Sequence, residues 1–203
     1  MADKGAVKMR LRSLLDPVVA GLEKAGVTPL AVTIAGLALS LLGALFVARG
    51  SLRLGAVILI VAGICDTLDG SLARRTGRVS VFGAFVDSTT DRLAELAVFG
   101  ALILYYMNRG AGARLGVIGC LVAIAGSFLT SYTRARAEGL GLECRVGWLE
   151  RPERVALIIV GFLGGGIVLD VIVGALAVLT LVTTVQRVLH VRRLAAGHGG
   201  SRP

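Results

Sequence analysis

Charge is what this chain has least of. Only 17% of its 203 residues are Asp, Glu, Lys or Arg, against 55% hydrophobic residues and a mean hydropathy of +0.81. That balance excludes an ordinary water-soluble domain, which at this length cannot bury so much apolar surface. Cysteine is scarce: Cys65, Cys120 and Cys144 are odd in number and lack metal-ligand spacing, so they imply no disulfide framework and read as small buried hydrophobes. Histidine is scarcer still. His190 ends an apolar stretch, His198 lies in the tail, and neither is needed for catalysis. The chain lacks solenoid-type repeats, an extra soluble domain, and low-complexity sequence beyond a glycine-rich tail from Gly197. Its amino terminus has no apolar core followed by a cleavage site, so a removed signal peptide is not expected.

What remains is apolar sequence in stretches of about 20 residues, long enough for a hydrocarbon core of about 30 Å. The sequence predicts an all-α membrane protein with six transmembrane helices and an N-terminal interfacial amphipathic helix. The spans are expected at 30–48, 52–73, 81–106, 115–135, 154–169 and 170–190. The last two share one long apolar stretch broken only by Gly164, Gly165, Gly166 and Asp170. Residues 7–24 place Leu11, Leu14, Leu15, Val18, Val19 and Leu22 at helical spacing among Lys8, Arg10, Arg12 and Lys24, as an interfacial helix would. The expected organisation is a cytoplasmic interfacial helix at 1–27, a six-helix domain at 28–190 and a basic, flexible cytoplasmic tail at 191–203.

Six spans put both termini on one side. Lys4, Lys8, Arg10, Arg12, Arg74, Arg75, Arg78, Arg136, Arg192 and Arg193 fall there, whereas Arg49, Arg53, Arg109 and Arg114 fall opposite. The positive-inside rule then sets the termini in the cytoplasm. The net charge of +9 suits anionic lipid headgroups and phosphorylated substrates, and nucleic acid is not an expected partner for so apolar a chain.

The second and third spans carry Asp66, Asp69, Asp87 and Asp91. Carboxylates at membrane depth cost a few kcal/mol each on insertion scales, so they mark function. Spacings of three and four put each pair on one helical face. A short basic turn around Arg74 to Arg78 lets two antiparallel helices bring the pairs together. Four converging carboxylates repel unless cations sit among them, and a hard oxygen-rich site suits Mg²⁺ or Mn²⁺, with two ions expected. Pairing with Arg74, Arg75 and Arg92 would absorb part of the charge without accounting for the spacing. Gly70 and Gly83 would let a ligand or a neighbouring backbone approach. Ser88, Thr89 and Thr90 fit ordinary helix-to-backbone bonding, and Trp148 and Tyr132 fit interface anchors or pocket walls.

Asp66-Thr-Leu-Asp69-Gly70-Ser-Leu-Ala73-Arg74, eight residues, Gly83, three residues, Asp87, three residues and Asp91 reproduce the full signature of the CDP-alcohol phosphotransferases, and the chain resembles that family. Eight fixed identities in one register would arise by chance with a probability on the order of 10⁻⁸, so the signature is specific. The resemblance implies a homodimeric membrane enzyme that joins the phosphatidyl-type group of a CDP-lipid to an alcohol and releases CMP. In matching positions Asp66, Asp69, Asp87 and Asp91 ligate metal, Asp91 serving also as base toward the acceptor hydroxyl. Gly70, Ala73, Arg74 and Gly83, with Asp66 and Asp69, surround the cytidine diphosphate.

A second segment, Tyr132-Thr-Arg134-Ala-Arg136-Ala-Glu138 followed by Gly147 and Glu150-Arg151-Pro152-Glu153-Arg154, is similar to that of phosphatidylinositol phosphate synthases and their archaeal counterparts. It implies inositol phosphate as acceptor and CDP-diacylglycerol or CDP-archaeol as donor. Arg134, Arg136 and Arg187, helped by Arg151 or Arg154, would hold the acceptor phosphate, whose oxygens match paired guanidinium donors. Glycerol 3-phosphate is the alternative acceptor. A cation transporter is disfavoured, because the acids cluster at one end beside basic residues instead of lining a path.

Overall fold

The computed structural model describes residues 4–110 and 113–197, with side chains for 14–110 and 113–196. Within them the chain is all-helical, without strands: α1 (Lys4–Lys24), α2 (Pro29–Ala48), α3 (Leu52–Arg75), α4 (Val81–Met107), α5 (Arg114–Gly139), α6 (Arg151–Gly164) and α7 (Gly166–Gly197). Local chemistry sets several boundaries. Thr28 accepts the Ala31 N–H at 3.2 Å, with Pro29 in the first turn of α2. Ser80 accepts the Gly83 N–H at 3.0 Å and starts α4. Gly77, at φ +66°, turns the chain between α3 and α4.

Four helices, α2, α3, α5 and α7, are long and apolar enough to cross a membrane. Exposed Leu41, Leu42, Leu45, Val57, Ile60, Val61, Ile118, Leu121, Val178 and Leu181 lie on them, an outer surface that water does not tolerate and lipid does. The chain is an integral membrane protein. α4 is long enough but carries Asp87, Asp91, Arg92 and Glu95. α6 has only 14 residues, about 21 Å of helix.

Two expectations are corrected. The break in the last apolar stretch falls at Gly165, φ +60°, rather than between 169 and 170. Helix α7 then runs 32 residues to Gly197, so helix occupies much of the tail expected from 191. Residues 198–203, with His198, and the side chains of Lys4, Lys8, Arg10 and Arg12 lie outside the described residues.

Helix α2 packs between α3 and α4, α5 lies along α7, and α6 bridges α3 and α7. Phe99, Leu102, Tyr106, Phe162, Leu169 and Leu176 fill the core. Small residues bring the helices close, as is usual where lipid gives no hydrophobic drive to association. A Cβ at Gly126 of α5 would run into the Thr180 side chain of α7, and one at Gly119 would stand 2.9 Å from Val173. Helix α1 seats Val19, Leu15 and Leu22 on Leu68 and Leu72 of α3, and Glu23 meets Arg75 at 2.6 Å. That contact braces the half of α3 bearing the aspartates.

Candidate active site

A cavity of about 830 Å³ opens between α2, α3, α4 and α6. Asp66, Asp69, Gly70 and Arg74 line it from α3, Asp87, Asp91 and Glu95 from α4, Thr33 from α2 and Arg151 from α6. Of the four carboxylates expected to converge, three do so: Asp87 and Asp91 on one face of α4 meet Asp66 of α3. One carboxylate oxygen from each of Asp66, Asp87 and Asp91 lies within 4.8 Å of the others.

Asp69 stands apart from that trio. It is 6% exposed, and its Oδ2 accepts the Thr33 hydroxyl at 2.6 Å. Thr33 escaped the sequence reading because one threonine in an apolar helix usually bonds its own backbone, and Thr33 also donates to the Pro29 carbonyl at 3.1 Å. Among the described residues, Ser88, Thr89 and Thr90 donate only to carbonyls of their own helix. Arg74 folds back over Gly70, where a Cβ would stand 3.3 Å from its Nη1, so glycine there gives the guanidinium its seat. Ala73 and Gly83 lie on the same two helices but do not line the cavity.

The arginines separate into three kinds. Arg151, the first residue of α6, places Nη1 3.1 Å from Asp66 Oδ1 and Nη2 2.7 Å from Asp91 Oδ1, spanning two of the three clustered carboxylates. Arg154 is 2% exposed and forms a two-pronged pair with Glu95, Nε to Oε1 at 2.7 Å and Nη2 to Oε2 at 3.1 Å, while Nη1 donates to the Leu149 carbonyl. Arg154 is thus a buried strut whose charge Glu95 matches, and of the two arginines expected to help hold acceptor phosphate it is Arg151 that lines the cavity. Glu95 is a site-wall residue the sequence reading passed over. Its signal was position, one turn beyond Asp91 on the same face.

Arg187 is 3% exposed yet forms no ion pair among the described residues. Its Nε donates to the Val146 carbonyl at 2.9 Å and its Nη1 to the Thr130 carbonyl. Carbonyls fix a guanidinium without neutralising it. Arg134 pairs with Glu138 at 2.8 Å, and Arg136 is exposed.

The loop ahead of α6 is clasped to α7. Trp148 N–H donates to Gln186, Leu149 N–H to Thr183, and His190 Nε2 lies 3.2 Å from the Glu143 carbonyl. Trp148 itself is 71% exposed and outside the cavity wall.

Residues 26–189 match the CDP-alcohol phosphatidyltransferase family. The chain belongs to that family. Among relatives of this phosphatidyltransferase, the archaetidylinositol phosphate synthase of Methanothermobacter thermautotrophicus is 36% identical, over 89% of this chain and 90% of its own. The phosphatidylinositol phosphate synthase of Streptomyces avermitilis is 39% identical, over 90% and 80%. The crystal structure of Mycobacterium tuberculosis phosphatidylinositol phosphate synthase with CDP-DAG bound superposes with a TM-score of 0.79 at 37% identity, covering 86% of this chain and 92% of that one. The same enzyme in complex with manganese and citrate gives a TM-score of 0.81 at 36% identity, covering 86% and 87%.

The donor set of this phosphatidyltransferase fits a divalent cation. Its three clustered groups are all carboxylates, hard ligands whose mutual repulsion a cation relieves.

Proposed function

We propose that this phosphatidyltransferase moves the phosphatidyl-type group of CDP-diacylglycerol or CDP-archaeol onto an inositol phosphate and releases CMP. The observation that carries the reading is the carboxylate trio of Asp66, Asp87 and Asp91 within 4.8 Å, set by the complete family signature in one cavity. The relatives named for inositol phosphate lipids support the acceptor.

Asp66, Asp87 and Asp91, with Asp69 beside them, would hold two divalent ions, Mg²⁺ or Mn²⁺. When bound, such ions neutralise the diphosphate and favour departure of CMP. Gly70 and Arg74 would contact the cytidine diphosphate in the cavity, with Ala73 and Gly83 in the layer behind them. Asp91 takes the proton of the acceptor hydroxyl as its oxygen forms a bond to the lipid-bearing phosphorus, and the bond from that phosphorus to CMP breaks in line. Arg134, Arg136 and Arg187 do not line the cavity itself; they are assigned to the acceptor phosphate for their charge, which in Arg187 is buried and left unneutralised by its carbonyl partners.

In the membrane, we assign six spans by adding α4 and α6 to the four apolar helices, with α1 in the interface. Exposed Leu14 and Val18 on α1 suit that placement. The termini and the site face the cytoplasm, where the basic residues gather. The active unit is a homodimer.

The test is CMP release from CDP-diacylglycerol in detergent with Mg²⁺, comparing inositol 1-phosphate, inositol, glycerol 3-phosphate and serine. Turnover with inositol 1-phosphate alone is the expected result. Turnover with glycerol 3-phosphate alone would keep the reaction and replace the acceptor. Silence with all four, repeated with CDP-archaeol, would sink the reading.

A further inference from the structure

Two arginines of α6, three residues apart, meet two acids of α4, four residues apart, as two rungs between the helices. The rungs differ in kind. Arg154 and Glu95 form the inner one, which is buried, two-pronged and complete. Arg151 forms the outer one at the cavity wall, and its partners Asp66 and Asp91 belong to the clustered carboxylates. The Arg151 Nε is buried without a hydrogen-bond partner among the described residues, so this seat leaves one donor unsatisfied.

From this contrast we propose that Arg151 is a built-in counter-cation. It occupies the carboxylate trio before metal enters, and must withdraw for metal to bind there. The proposal rests on the functional reading above and deepens it.

Arg151 holds Oδ1 of both Asp66 and Asp91, and the positive charge it sets between them opposes a divalent ion drawn to the same carboxylates. Metal entry releases Arg151 at the cavity wall, still anchored from behind by the Arg154–Glu95 rung one turn along the helix. The freed guanidinium is then available to an anionic acceptor. Acceptor phosphate that captures Arg151 removes the competitor from the carboxylates. Metal and acceptor therefore strengthen each other's binding by the same factor, because linkage is reciprocal. The departure of Arg151 also frees Oδ1 of Asp91, taken as the base, while Arg92 Nη1 stays 3.6 Å from its Oδ2.

The experiment measures Mn²⁺ affinity of the purified full chain in detergent, by the electron paramagnetic resonance signal of free Mn²⁺, without donor lipid. Arg151→Gln is expected to bind Mn²⁺ about five- to thirty-fold tighter than wild type, the range for losing a partly exposed pair of charge-assisted bonds. Arg151→Lys should fall between them, since a lysine offers one point charge in place of a fork. Inositol 1-phosphate should tighten Mn²⁺ binding to wild type and leave the affinity of Arg151→Gln unchanged, which also separates the effect from chelation in solution. Equal Mn²⁺ affinity in wild type and both variants would overturn the counter-cation while leaving the metal site standing. In wild type alone, failure of inositol 1-phosphate to tighten Mn²⁺ binding would overturn the coupling whether or not the variants fold. No Mn²⁺ binding by any form would overturn the metal reading and this proposal together.

Discussion

Thr33 donates its hydroxyl to Asp69 across 36 positions of sequence, tying α2 to α3 at 2.6 Å on the cavity wall. The bond fixes Asp69 beside the carboxylate trio. Thr33→Val keeps the shape and removes the donor, leaving a buried carboxylate short of one partner, a loss of about 1–3 kcal/mol. CMP release by this variant should fall about tenfold. Thr33→Ser should recover most of it.

Asp91 is assigned proton removal and metal binding, and Asn can do neither in full. Asp91→Asn is expected to lower CMP release about 10²- to 10⁴-fold, the usual weight of a general base. Retained near-normal turnover would remove Asp91 from both roles. Its thermal unfolding should stay close to that of wild type, because relief of repulsion with Asp66 and Asp87 offsets the weakened contact with Arg151.

The buried pair of Glu95 and Arg154 makes an opposite prediction. Glu95→Gln leaves a guanidinium buried beside a neutral amide, and the cost of breaking such a pair is about 3–5 kcal/mol. The Glu95→Leu, Arg154→Met double variant removes both charges and should unfold at a higher temperature than Glu95→Gln alone. The pattern is read from thermal unfolding in detergent. If the single variant is the more stable of the two, the pair is not what holds α6 to α4.

Gly126 sets the distance between α5 and α7. An alanine there meets the Thr180 side chain and should lower the unfolding midpoint by about 5 °C. Gly100→Ala on α4 is the control, since nothing stands within 4 Å of its Cβ, and it should leave the midpoint unchanged or slightly raised.

Much of the site was legible because its spacing is helical. The positions of Asp66, Asp87 and Asp91 along their helices gave their shared faces, but among the described residues α3 and α4 are not packing neighbours as expected: the chain reverses through Gly77 and α2 packs against both. The last helix pair was less legible. Apolar residues continue on both sides, so the glycine run and Asp170 offered two places for the break, and the positive φ of Gly165 shows which one the chain uses. The arginines were the least legible. Arg151, Arg154 and Arg187 are alike in sequence, and partners 60, 59 and 41 positions away decide which is a bridge, which is a buried strut and which keeps its charge. Local patterns carry no record of such distant pairing.

Beside its carboxylates the cavity is also walled by Leu37, Leu59, Val98, Ile158 and Ile159. Such walls offer water few hydrogen bonds, so little of it stands where the diphosphate is attacked. Hydrolysis of the CDP-lipid would waste a nucleotide and leave a phosphatidic acid. An acceptor whose own charged group compensates its binding enters that dry space, and water does not. The apolar walls thus favour a synthase over a hydrolase.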